Sequence, residues 1–343
     1  MTEETKSVPV CTTITGEVVA APFRTLIQQS TSGKARPKLI GILANVASNG
    51  PSRIYASWTA KACEAVGIEY ELREVSSEDT ENGATQVDVE QAILQANIDP
   101  SVNGIMVYYP IFGPRKDGYL QQAVSPLKDV EGLHFTWLFS LYHNIRFVNP
   151  SKLSTTELVS PTSPPAEQAA EGDRQSKAIL PCTPLAIVKV LEYCQVYNTI
   201  LPYGSRAFGK TITVINRSEV VGRPLAALLA NDGARVFSVD LDGIQEFTRR
   251  KISTSGSSFH PHHVVQSCSL TLEECLRASD AVVAGVPSKE YKVKTEHLKE
   301  GVVAINFSEN KNFELDIKEK AALYCPGIGK VTICMLSFFI CNH

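Results

Sequence analysis

The clearest chemistry lies in Asn216-Arg217-Ser218-Glu219-Val220-Val221-Gly222-Arg223-Pro224, which follows directly on the apolar run Lys210–Ile215. A strand entering such a turn, followed by a helix over Pro224–Asp232, aims backbone N–H groups and the positive end of a helix dipole at one point, as a pyrophosphate requires. The match to G-x-G-x-x-G is incomplete: Asn216 and Ser218 replace the first two glycines and Gly222 falls one place late, so an ordinary strand–helix turn stays open as the alternative. Asp240 favours the dinucleotide reading. It ends the next strand-like run, Ala234–Asp240, where a carboxylate accepts the hydroxyl hydrogens of an adenosine ribose and repels a 2′-phosphate. Arg217 argues the other way, because a guanidinium in the same turn pairs with a 2′-phosphate. Asp240 is weighed the more heavily, so NAD is expected over NADP.

The elements that must hold these residues follow from periodicity. In the first half a strand at Lys38–Ala44, a helix at Ser52–Val66, a strand at Ile68–Val75, a helix at Asp88–Asn97 and a strand at Gly104–Pro110 predict a βαβαβ lobe with a largely parallel sheet. Between Ser151 and Lys177 the chain is rich in Ser, Thr, Pro and acids, too polar to bury regular structure and expected to be a mobile surface loop. Pro181–Tyr197 reads as a helix, with Cys182 or Thr183 near its start and Pro184 in its first turn. In the second half the Rossmann-like opening is interrupted by the polar stretch Lys251–Ser267 before a helix and two more strands. His260, His262 and His263 cluster there without a carboxylate or cysteine at ligand spacing, which predicts a solvent-exposed loop and no metal. The tail Leu336–His343 is expected to form a docked helix.

At 343 residues the chain suits two α/β lobes rather than one core. A net charge of −3 gives no attraction to polyanions, so nucleic acid is not an expected partner. Nine cysteines without a C-x-x-C pair suit a reducing compartment. The first residues lack an apolar signal core and an Arg-rich transit character, and no apolar run reaches the roughly 18 residues of a membrane span. The expectation is a cytoplasmic protein with no membrane partner.

Six segments, SRIYASWTAKACEAVGI (52–68), NGIMVYYP (103–110), KDVEG (128–132), PCTP (181–184), NRSEVVGRP (216–224) and PGIGKVT (326–332), together resemble the methylenetetrahydrofolate dehydrogenase/cyclohydrolase family. Their order and spacing match from Ile14 to Leu336, and the likeness is strongest to the family's monofunctional NAD-dependent fungal branch. The resemblance implies a folate-binding lobe over 1–180 to which 325–343 return, a Rossmann lobe over 181–324, a cleft between them, and a homodimer through the Rossmann lobe. It also implies a folate substrate, and a place in one-carbon metabolism and purine biosynthesis.

Departures from the family pattern carry the finer expectation. Tyr55 is present, but the Lys that family members place four residues later is Thr59. Lys61 lies about 200° around the helix from that Lys at 100° per residue. The family's Gln-Leu-Pro is Tyr108-Tyr109-Pro110, so the amine thought to serve hydrolysis of the methenyl carbon and its Gln partner are lost together. Glu131 replaces an Asp that in the family binds the pterin, and PGIGKVT is one Gly shorter than its family counterpart.

The resulting assignment makes Tyr55 and Cys182 the catalytic candidates, Cys182 either contacting the reacting groups or merely packing. Thr59, Tyr108, Pro110, Glu131, Pro326 and Gly327 are the substrate-binding candidates. Asn216, Arg217, Ser218 and Gly222 serve the cofactor phosphates, Asp240 the ribose, and Ser308 and Asn310 the nicotinamide side. The expected activity is oxidation of 5,10-methylenetetrahydrofolate by NAD without cyclohydrolase activity. The alternatives are a bifunctional NADP-dependent enzyme, a non-catalytic folate-binding module, and a generic dehydrogenase, for which no catalytic His or Lys stands out.

Overall fold

The computed structural model describes residues 11–44, 50–76, 83–153, 175–249 and 261–342. The chain divides into two compact units, one of Ala21–Leu141, Ile145–Cys182 and the chain from Ile333, the other of the described residues up to Ala20, Tyr142–Asn144 and Thr183–Thr332. The segment 325–343, expected to return whole to the first lobe, is thus divided at Thr332/Ile333.

In the first unit three parallel strands stand in the order Glu69–Val75, Lys38–Ala44, Gly104–Val107. Alternation along the central strand gives the sheet two faces. Ile40 and Ile42 pack with Val89 and Ile93 of the helix Gln86–Ile98 and with Leu120 of the helix Pro114–Ala123. Gly41 lies on the opposite face. Register puts Tyr70 opposite Leu39 and Met106 opposite Gly41, so Tyr70 and, one pleat beyond Met106, Tyr108 share the face of Gly41. The helix Gln86–Ile98 starts at a capping box: the Thr85 hydroxyl accepts from Asp88 N and the Asp88 carboxylate accepts from Thr85 N, which satisfies two N–H groups that a helix start leaves open. The strand expected to run to Pro110 ends at Val107, where a turn through the cis Tyr109–Pro110 peptide begins.

The second unit is built on an eight-stranded sheet. Its order is Thr12–Thr13, Ala321–Cys325, Val302–Asn306, Ala281–Ala284, Thr211–Ile215, Arg235–Asp240, Gly243–Thr248 and Val264–Ser267. The first six are parallel, Gly243–Thr248 runs antiparallel to them, and Val264–Ser267 runs antiparallel to Gly243–Thr248. Parallel strands are buried on both faces, which accounts for the fully buried Ala281–Ala284 and Val302–Asn306. The helix Gly222–Asn231 is buried at nearly every position.

The polar stretch is where the sequence expectation fails. Val264–Ser267 is a strand, and His263 beside it is buried rather than solvent-exposed. The His263 ring stacks on Phe247 at 5.5 Å, and the backbone N–H of His263 donates to Asn231 Oδ1 at 2.8 Å. Burial, then repulsion from His262, Arg223 and His143, lowers its pKa to about 4. Arg235–Asp240 and Gly243–Thr248 form a hairpin whose sequence signal is Asp242-Gly243 between two strand-like runs, and Val264–Ser267 adds to its outer strand. Residue His260 and most of Lys251–Ser267 lie outside the described residues, as does 154–174 of the polar loop. Ser176–Lys177 pairs with Phe147–Val148. The tail is the end of a helix, Gly329–Asn342. Among the described residues no helix is long and apolar enough to cross a membrane.

Candidate functional site

On the tyrosine-bearing face of the first unit, the helix Gly50–Ala65 places Tyr55 and Thr59 one turn apart on one side. Thr59 is fully buried and its hydroxyl donates to Tyr55 O at 3.0 Å. The Tyr108 hydroxyl is bonded to both Thr59 and Tyr70, the latter at 2.7 Å, and the Tyr55 and Tyr108 rings meet edge-on at 6.2 Å. Gly41 makes room for this chain. A Cβ there would stand 2.4 Å from the Tyr70 oxygen and 3.0 Å from the Tyr108 ring.

Beside these hydroxyls lies the acid of the KDVEG loop. Asp129 ties the loop down by accepting from the N–H groups of Glu131, Gly132 and His134 at 2.8–3.0 Å. Glu131 is held by Val107 N, which donates to Oε2 at 3.0 Å, and its own carbonyl accepts from Cys182 N at 3.1 Å. Burial pushes the Glu131 carboxyl up to about 8, against the lowering effect of the Val107 bond, and the neighbouring Asp129 charge pushes the same way. Burial, then Cys182, Glu131 and Tyr108, holds the Tyr55 hydroxyl well above the usual phenol range. The result is a patch of neutral hydroxyls around a carboxyl that is largely protonated at pH 7. Its proton affinity is set mainly by dehydration, so a positive charge nearby would favour the carboxylate, the proton leaving to bulk solvent.

In the second unit the turn after Thr211–Ile215 lies where the strand order reverses, between Arg235–Asp240 on one side and Ala281–Ala284 on the other. Such switch points are where open parallel sheets bind ligands. Asn216 adopts φ +85 and its side chain donates to Gly285 O at 2.6 Å, tying the two strand ends together. Gly222 lies directly beneath this turn, and a Cβ on it would come 1.8 Å from Asn216 O. The late glycine is therefore the one that lets the helix start approach the turn. The Ser218 hydroxyl accepts from Val221 N and Gly222 N, both at 3.3 Å, and so satisfies two N–H groups at the helix start, whose N-cap is Val221. Asp240 accepts from Arg217 N at 2.6 Å and from Leu241 N at 2.7 Å.

A model of the tetrahydrofolate dehydrogenase/cyclohydrolase catalytic domain matches residues 14–131, and one of that family's NAD(P)-binding domain matches residues 181–251. The chain is 46% identical over 340 residues to a Schizosaccharomyces pombe protein named methylenetetrahydrofolate dehydrogenase [NAD(+)], covering 98% of this chain and 94% of that one. It belongs to the tetrahydrofolate dehydrogenase/cyclohydrolase family. The solved NAD-dependent 5,10-methylenetetrahydrofolate dehydrogenase of Saccharomyces cerevisiae superposes with a TM-score of 0.80 at 43% identity, covering 97% of this chain and 96% of that one. A bifunctional FolD protein of Leptospira biflexa is 25% identical, over 94% of this chain and 89% of its own.

Within this member of the tetrahydrofolate dehydrogenase/cyclohydrolase family, the first unit gathers Tyr55, Thr59, Tyr108, Glu131 and Cys182 in one place. Pro110 is exposed beyond them, and Asp117 steadies its loop by accepting from Ile111 N and Phe112 N. Lys61 is exposed on an unbroken helix and does not take the place of Thr59. Pro326 and Gly327 belong to the second unit. There Asn306 donates to Pro326 O at 3.3 Å and to Ser308 O at 2.7 Å. Ser308 also accepts from Asn310 N at 3.1 Å.

Sequence reasoning missed Tyr70, because IEYELREV gives no hint that its ring leans over a glycine, Gly41, on the next strand. It also missed Asn306 and Asn312. Both are fully buried, and they brace the loops after Ala281–Ala284 and Val302–Asn306 through Asn312 N to Asn306 Oδ1 and Val286 N to Asn312 Oδ1. Their signal was an Asn ending the apolar run Val302–Asn306 and another six residues on, in the polar turn that follows.

Proposed function

We propose that this protein oxidises 5,10-methylenetetrahydrofolate to 5,10-methenyltetrahydrofolate with NAD and does not hydrolyse the product. The observation that carries the reading is the neutral chain Thr59–Tyr108–Tyr70, which fills the side of Glu131 where hydrolysis would call for an amine. The substrate's one-carbon unit sits between two nitrogens whose lone pairs expel a hydride and leave an amidinium cation, so little acid–base help is required. The protein must orient the folate and favour the positive charge that develops.

Glu131 suits that second task. Burial favours its protonated form in the empty patch, and the positive charge of the product would favour the carboxylate, the proton passing to bulk solvent, so its stabilising effect is greater on the product side than on the substrate side. Tyr55 and Tyr108 flank the folate and keep water from the reacting carbon. Cys182 has its backbone fixed by Glu131 and packs close to Tyr55 at the start of the helix Cys182–Tyr193.

The second unit fits a dinucleotide on its own residues: Gly222 leaves the close approach that a side chain would block, Asp240 offers ribose acceptors, and Arg217 keeps a buried Nη1 that has no partner among the described residues. NAD, when bound, supplies the acceptor for the hydride. Asn216, Ser218 and Gly222 would hold its phosphates and Ser308 and Asn310 its nicotinamide side. Cytoplasmic location and a homodimer belong to the same proposal, by likeness to the family.

The test is a paired assay with methylenetetrahydrofolate, following reduction of NAD and NADP, and separately the decay of supplied methenyltetrahydrofolate. NAD reduction with methenyl decay no faster than in buffer is the expected result. Accelerated decay makes the bifunctional reading correct.

A further inference from the structure

Arg217 is the residue whose guanidinium would welcome a 2′-phosphate, yet the fold has already engaged it. The strand Arg235–Asp240 does not cross over to another parallel strand. It turns back at once, pairing Asp240 with Gly243. That return delivers the Asp242 carboxylate and the Gly243 carbonyl onto the Arg217 guanidinium, the carbonyl accepting at 3.0 Å. The Arg217 side chain is only 7% exposed, whereas Asp242 is 73% exposed, so the guanidinium is locked in place by its surroundings and its partner is held only by the turn.

We infer that Asp242 is a specificity-determining residue: it neutralises the Arg217 guanidinium and so turns a potential 2′-phosphate site into one that accepts a free ribose. The inference rests on the dinucleotide reading of this turn and adds a residue to it. With Asp240, Asp242 and Arg217 together the turn carries one net negative charge, and a 2′-phosphate would have to break the Arg217–Asp242 pair and face both carboxylates. Neutralising Asp242 removes one of those charges and returns the guanidinium's fork to use. Asp242 acts through Arg217 and is a positioning residue.

The experiment compares adenosine 5′-monophosphate with adenosine 2′,5′-bisphosphate, probes that differ only by the 2′-phosphate, by isothermal titration calorimetry on the full chain. Wild type should bind the monophosphate the more tightly. In Asp242→Asn the ratio of the two dissociation constants should move about tenfold toward the bisphosphate, the size of change that one partly shielded charge produces. Asp242→Glu should keep the wild-type ratio, and Asp242→Asn with Arg217→Gln should lose the gain. Raising the salt should shrink it.

A merely structural role for Asp242 would weaken both probes alike and leave the ratio unmoved, and an unmoved ratio overturns the inference. So does wild type that binds the bisphosphate as tightly as the monophosphate. Because neither probe needs folate turnover, failure of the proposed reaction appears in the paired assay and not here.

Discussion

The hydroxyl patch of the three-stranded unit spreads across one face of its parallel sheet, whereas the dinucleotide turn of the eight-stranded unit stands at the carboxyl ends of parallel strands, and the two are fixed by different means. The patch is made of side chains, Tyr70 and Tyr108 gathered by register on one sheet face, Thr59 from the helix Gly50–Ala65 and Glu131 from its loop, and dehydration sets its chemistry. The turn is made of backbone: Gly222 beneath Asn216, and peptide N–H groups on Asp240. Its charges are paired rather than stripped of water. A site of the first kind can change its proton affinity by one substitution without moving the chain. A site of the second kind tolerates charge changes but no added atom at the crossing.

The largest effect should come from adding that atom. A methyl group 1.8 Å from Asn216 O cannot be accommodated by a side-chain rotation, because its neighbour is backbone. Gly222→Ala should cost roughly 3–5 kcal/mol of stability, as severe overpacking does, and should abolish binding of adenosine 5′-monophosphate. Urea unfolding with Gly118→Ala as control checks it. Gly118 lies in the helix Pro114–Ala123, and a methyl group added there would meet nothing within 4 Å, so that change should be neutral or stabilising by up to about 1 kcal/mol. Equal losses at the two glycines would remove the distinction between the regions.

Next in size is the response of Glu131 to pH. Its folded pKa of about 8 lies above the ordinary 4.5, so between those values the unfolded chain gives up a proton that the folded chain keeps. Stability from this group is therefore complete below about pH 4.5 and declines as pH rises to about 8. Glu131→Gln should remove the decline above about pH 6, leaving the part that Asp129, itself raised by burial to about 6, contributes below that, so that the variant is the more stable protein at pH 8.5 and nearly equal to wild type at pH 4.5. Its kcat/KM on methylenetetrahydrofolate should fall about 100-fold, since Gln keeps an acceptor but cannot gain charge. A variant that follows the wild-type stability profile would place the carboxyl in water rather than in the patch.

Much of this arrangement is legible in the sequence. The strand, turn and helix at Thr211–Asn231 follow from apolar period, and Asp240 from its place at a strand end. Thr59 and Tyr108 draw attention because they depart together from a family pattern, and the structure puts them in contact. What is not legible depends on tertiary pairing. Tyr70 is 38 residues from Tyr108 and reaches it only across the strand that carries Gly41. The pairing of Val264–Ser267 with Gly243–Thr248 is hidden because the polar stretch 250–260 separates the two strands, and a buried His263 in such a stretch looks like a surface residue until Phe247 is seen beneath it. Pro326 and Gly327 go to the first lobe by likeness, whereas β-pairing of the preceding strand Ala321–Cys325 fixes them to the second.

The smallest expected effect bears most directly on whether the patch acts as one body. Tyr70→Phe removes a hydroxyl 2.7 Å from that of Tyr108 and leaves Tyr108 its bond to Thr59, so the cost should be about 1 kcal/mol, the ordinary net worth of such a bond. Thr59→Val alone should cost a similar amount for the same reason. Removing both leaves the buried Tyr108 hydroxyl without either partner, and a stranded buried donor costs more than a weakened one, so the double variant should lose more than the two singles together by about 1 kcal/mol. A double-mutant cycle from urea midpoints measures that excess, and kcat/KM on methylenetetrahydrofolate should fall in step with it. Strict additivity would mean that the three hydroxyls pack independently; the patch would then be ordinary core, and the contrast with the dinucleotide turn would rest on Glu131 alone.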